Sequence, residues 1–133
     1  MIDEDMDRLL GFHRRRYWLT NGWSVWIRAW AVEPSTARPH GIRYSFSLHD
    51  VDGTRILGYD NAHAIPQRVE HDHWHRFRRM GRRVPYEFVD ADTLLADFFS
   101  AVRRICEFEN VSYEIDEEDL IGDEEVDDVE DAE

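Results

Sequence analysis

Between Phe12 and Asn61 apolar and polar side chains alternate with the period of two that half-buried strands show. FHRRRYWLT and WSVWIRAWAV flank Asn21-Gly22, which predicts a hairpin closed by a two-residue turn. In the second run Trp23, Val25, Ile27, Ala29 and Ala31 fall on one face, and Ser24, Trp26, Arg28, Trp30 and Val32 on the other. After a polar connection from Pro34 to Pro39, GIRYSFSLH sets Tyr44, Phe46 and Leu48 opposite Ser45 and Ser47. Asp50, Asp52 and Gly53 then turn the chain, and Arg55, Leu57 and Tyr59 alternate with Ile56, Gly58 and Asp60 on the way back to Asn61. These runs make a four-stranded meander, to which VPYEF adds a short edge strand. The period then changes. Behind Asp90 as N-cap, Leu94, Leu95, Phe98, Phe99, Val102, Ile105 and Cys106 recur at helical spacing. Burying that stripe on one face of the sheet supplies much of a core, at ~25 cal/mol per Å² of apolar surface. The expected fold is α+β: an antiparallel four- to five-stranded meander sheet packed by one long C-terminal helix, followed by a disordered acidic tail.

Charge sets the boundaries. From Glu114 onward there are thirteen acids and no bases, whereas residues 1 to 113 hold sixteen of each, so the net charge of −13 belongs to the tail. A segment so poor in apolar residues is expected to stay unfolded, or to fold back over Arg78 to Arg83 and compete there with a polyanion. The division is therefore 1–11 as an arm or short helix, 12–113 as one domain, and 114–133 as the tail. All sixteen bases are Arg. An acidic chain without Lys points to a GC-rich genome or to a cytoplasm of molar salt, where a Debye length of ~3 Å screens like charges. A single cysteine, Cys106, excludes an internal disulfide, and on the helical stripe it reads as a core residue. With an acidic start and no apolar run near the ~20 residues of a membrane span, the expected compartment is a reducing cytoplasm, with no membrane partner.

The chemistry gathers between Tyr59 and Arg83. His63, His71, His73 and His75 lie within thirteen positions, and residues 63 to 83 hold six arginines against Glu70 and Asp72. One reading is a metal site: His71, His73 and His75 at period two, completed by Asp60 or His63, have the donor types of hydrolytic zinc. The other needs no metal or cofactor. Histidines of near-neutral pKa serve as general acid and base on a phosphodiester while arginines hold the phosphate, which suits single-stranded RNA. On the open face of the sheet, Trp26 and Trp30 either meet a partner or cover arginine stems.

GYDNAHAIP, preceded by RYSFSLHDVDG and followed by HDHWHR, PYEF and the amphipathic helix, resembles the TumE-type toxins of prokaryotic toxin–antitoxin modules, from about Tyr17 to about Ile105. The most specific element is Tyr59-Asp60-Asn61-Ala62 with the histidines downstream. The resemblance implies a small toxin encoded beside a protein antitoxin, often of helix-turn-helix type, that neutralises it. The long acidic tail departs from the family pattern. With the loop chemistry added, the expectation is RNA binding or cleavage at the loop, by metal-independent acid–base chemistry ahead of zinc if it cleaves. His63 and His73 would form the acid–base pair, with Asp60 orienting a histidine and His71 and His75 in reserve. Arg76 would hold phosphate, with Arg68, Arg79 and Tyr59 as further substrate contacts. The alternative is a non-catalytic interaction module that binds a protein through Trp26, Trp30 and the arginines.

Overall fold

Period-two runs become neighbouring strands in a computed structural model, which describes residues 4–36, 38–61, 73–76 and 79–122, and only the backbone course of 73–76 and 79–85. Strands β1 (Arg15–Leu19), β2 (Ser24–Ala31), β3 (Ile42–His49), β4 (Arg55–Asp60), β5 (His73–Arg76) and β6 (Arg79–Pro85) form an antiparallel meander. Strand β7 (Ile115–Leu120) joins on the far side of β1, giving the order β6-β5-β4-β3-β2-β1-β7 among the described residues. Helices α1 (Glu4–Leu10) and α2 (Ala91–Phe108) complete the α+β fold. The sheet is wider than four or five strands for two reasons: residues 73–85 pair as a hairpin on β4, and part of the acidic segment pairs on β1. Of VPYEF, only Val84 and Pro85 lie in β6, while Tyr86 and Phe88 pack against the core. No described helix is long and apolar enough to cross a membrane.

Val25, Ile27 and Ala29 of β2, with Ile42, Tyr44, Phe46 and Leu48 of β3, face the helices as their alternation predicts, and all are buried. Phe98 of α2 lies against Phe46 and Tyr59, with ring centroids 5.4 and 5.7 Å away. Asp90 caps α2 by accepting from the Thr93 amide at 2.7 Å. Helix α1 docks on the start of α2: Asp5 accepts from the Ala91 amide, Arg8 holds Asp92 two-pronged, and Leu9 is buried. Cys106 is 1% exposed, and burial pushes its thiol pKa up, consistent with a core role.

The Asn21-Gly22 turn differs from expectation. Leu19 and Trp23 close a three-residue connection of Thr20, Asn21 and Gly22. Only Gly22 takes a positive φ, +95°, whereas a two-residue type I′ turn needs positive φ at both positions. Asn21 instead accepts from the Trp23 amide through its side chain.

The expected disorder from Glu114 onward does not hold for Ile115–Leu120, which pair with β1 from Leu19 to Arg15. Strand β7 lies at the opposite edge of the sheet from β6, and the arginines it meets are on and beside β1; Arg78 lies outside the described residues. Arg15 pairs with Glu118 and Arg16 with Asp119, while Arg14 and Arg28 donate to the carbonyls of Ile121 and Gly122. Opposite charge along a sheet edge supplies what the low apolar content does not. Ile121 is 6% exposed and anchors the end. Truncation after Gly122 should leave thermal unfolding unchanged in matched salt. Truncation after Tyr113 should keep one cooperative transition but cost about 2–3 kcal/mol, the scale of one buried Ile. Calorimetry of the two truncations checks this, and loss of cooperativity in the second would make β7 integral to the domain.

Candidate nucleic-acid interface

Strand β4 ends in a knot of polar groups, Arg55, Asp60 and Asn61. A bulge sets it up: Leu48 pairs with Leu57 and His49 with Arg55, leaving Ile56 as the extra residue. Downstream parity is thereby reversed, so Arg55 shares a face with Gly58 and Asp60, while Ile56, Leu57 and Tyr59 all enter the core. The Arg55 guanidinium passes over Gly58 and donates to Asp60 Oδ2 at 2.9 Å. Asp60 is fully buried and the Arg55 side chain is 10% exposed. Next to them Asn61 extends the ladder with its side chain, accepting from the Tyr44 amide and donating to the Ile42 carbonyl, both at 2.9 Å. Two members of the Tyr59-Asp60-Asn61 motif thus fix where the chain leaves β4.

Tyr59 is corrected by this geometry. Its ring is 6% exposed and packs edge-on against Tyr86 and Phe98, so it is not presented to a ligand. Burial raises its phenol pKa. Asp60 does meet a histidine position, since His73 is its cross-strand partner in β5, and His75 is the partner of Gly58. On β6, Arg83 pairs with His75, and Arg79 with Arg76. His63, His71 and Arg68 lie outside the described residues. Among those described, no three His, Cys, Asp or Glu converge as a metal site.

Register links these positions into rows across the outer face. One runs Asp119, Arg16, Trp26, Ser47, Gly58, His75, Arg83 through all seven strands, and beside it Arg28, Ser45, Asp60 and His73 follow one another from β2 to β5. The tryptophans on this face sit among cations. Arg16 and Arg28 lie over Trp26 at 5.1 and 5.6 Å, and Arg43 over Trp30 at 5.4 Å. Guanidinium groups lying over indole faces are therefore what the alternation in β2 delivers. Such a surface of fixed cations and ring faces is the kind on which single-stranded nucleic acid stacks and neutralises its phosphates.

His49, absent from the sequence-based candidates, stacks on Trp26 with centroids 4.5 Å apart. Its Nδ1 lies 3.2 Å from the Gly53 carbonyl, which can only accept, so Nδ1 carries the proton and Nε2 accepts from the Ser47 hydroxyl at 2.9 Å. Burial, then the charges of Arg55 and Arg28, lower its pKa below the ordinary value, outweighing the Gly53 bond and Asp50. The sign follows from proton uptake. Near pH 6.5 and below the unfolded chain binds the proton first, so stability should fall as pH drops through that range and be fully present above it. His49→Gln should flatten this slope relative to the parent in urea titrations between pH 5 and 8. Equal slopes would show that His49 keeps an ordinary pKa.

Residues 22–106 match the family model described as Toxin TumE. No curated protein and no solved structure matches the chain. The matched span runs from the β1–β2 turn to Cys106 of α2, so β1, α1 and β7 lie outside it.

Proposed function

The chain belongs to the TumE toxin family, and from that premise we propose that it is the toxin half of a toxin–antitoxin module, that it cleaves RNA through the His/Arg-rich segment 63–83, and that a cognate protein antitoxin neutralises it. The observation that carries the RNA reading is the register of β4, β5 and β6. It sets His73 beside Asp60, His75 beside Gly58, and Arg83 beside His75, on the strand rows that hold Arg28, Trp26 and Arg16. In the proposed step a neutral histidine takes the proton of a ribose 2′-hydroxyl, whose oxygen bonds to phosphorus. A second histidine, protonated, gives its proton to the departing 5′-oxygen as the P–O5′ bond breaks. His63 and His73 are assigned to this pair, with His71 and His75 in reserve and Arg76, Arg68 and Arg79 on the phosphate. No step needs a metal.

The test is induced expression with and without the cognate antitoxin, reading growth and RNA integrity together. Arrest with degraded RNA, relieved by the antitoxin, is expected. Arrest with intact RNA would remove the ribonuclease reading and favour protein binding through Trp26 and Trp30. Normal growth would remove the toxin reading.

A further inference from the structure

Asp119 is held two-pronged by one guanidinium. Its Oδ1 and Oδ2 take hydrogen bonds from Arg16 Nε at 2.8 Å and a terminal Arg16 nitrogen at 2.6 Å. The same guanidinium lies 4.9 Å from the Trp18 ring and 5.1 Å from that of Trp26. A fork that takes a carboxylate in this two-pronged way takes a phosphate equally well, and flanking indoles are the platforms on which bases stack. Arg28, which also lies over Trp26, donates to the Gly122 carbonyl at 3.2 Å. From Arg16 one register row leads through Trp26, Ser47 and Gly58 to His75, about 19 Å away at four strand spacings of ~4.8 Å.

We infer that the outer face from β1 to β4 is a binding track for single-stranded RNA leading to the positions of His73 and His75 on β5, and that Asp119 occupies its phosphate position at Arg16, so that β7 competes with RNA from within the chain. The inference rests on RNA being the substrate. The segment suits a competitor. Its six residues are exposed or half-buried, pair with β1 alone among the described strands, and lie beyond the family-matched span. Glu118 supplies an internal contrast: it pairs in register with Tyr17, which packs on the core side, and bridges Arg15 away from the track.

The test measures binding of full-length protein to a fluorescein-labelled single-stranded 2′-O-methyl RNA, which lacks the hydroxyl needed for cleavage. Asp119→Asn should tighten binding about three- to tenfold, the range between an exposed ion pair and a charge-assisted hydrogen bond. The slope of log K against log salt should steepen by ~0.7, one more phosphate contact on a single strand. Glu118→Gln, which removes the same charge from the same strand, should change binding by less than about twofold on that scale. Arg16→Ala added to Asp119→Asn should cancel the gain. Equal gains from Asp119→Asn and Glu118→Gln would reduce the effect to net charge and overturn the inference. So would a gain that survives Arg16→Ala, or equal competition by duplex DNA. Binding is read here without growth or cleavage, so a failed track leaves the toxin reading to its own assay.

Discussion

Gly58→Ala should destabilise the protein by about 3 kcal/mol, although the position is an unremarked glycine inside a strand. An added Cβ would overlap a terminal nitrogen of Arg55 and stand 2.8 Å from its Nε and 2.9 Å from its Cζ. The guanidinium would have to move, and it has little room, with its side chain 10% exposed. Displacing it leaves the fully buried Asp60 carboxylate without this cation, and breaking a buried pair costs about 3–5 kcal/mol. Arg55→Met removes the same cation directly and should cost a similar amount. Because both changes act on one contact, Gly58→Ala combined with Arg55→Met should cost little more than either alone. Urea unfolding midpoints of the three variants decide this. A loss below ~1 kcal/mol for Gly58→Ala, or full additivity, would mean that the glycine does not serve the Arg55–Asp60 pair.

That contact was hidden by the rule that made the strands legible. Strict alternation across residues 55–61 sets Arg55 and Asp60 on opposite faces, and one bulged residue, Ile56, puts them on the same one. Nothing in a single sequence announces a bulge whose extra residue is as apolar as its neighbours. Alternation in β2 and β3 was readable because those strands pair over eight unbroken steps, from Ser24 with His49 to Ala31 with Ile42. The long helix was readable because its cap and stripe are local features. Strand β7 was not: its pairing depends on arginines some hundred residues earlier, and composition alone argues for a solvated segment. The site shows the same division. Histidine density pointed to residues 63–75, but His49, Arg16 and Trp18 enter only through cross-strand neighbours that a linear reading does not supply.

His63→Ala and His73→Ala should each remove most of the toxicity, because positioned proton transfer typically contributes 10²- to 10⁴-fold to a rate. Their separate loss is informative. If one histidine is base and the other acid, either change alone stops the same step, and the double variant should be no worse than the single ones. Arg76→Ala should weaken binding of the phosphate and make the slope of log K against log salt shallower by ~0.7, so that the loss is largest at low salt. His40→Ala is the control: His40 is exposed and stacks on Phe88 at 4.1 Å, away from the register rows that meet His73 and His75. The measurement is growth after induction together with RNA integrity, on variants matched for soluble amount and for unfolding midpoint. The midpoint matters because His73 pairs with Asp60 at the end of β4, where a change in folding would pass for a change in chemistry. Variants that fold like the parent yet leave growth and RNA untouched would assign proton transfer to the segment. Should both arrest growth as the parent does, catalysis there is excluded, and binding through the Trp26 and Trp30 face becomes the better account of the toxin.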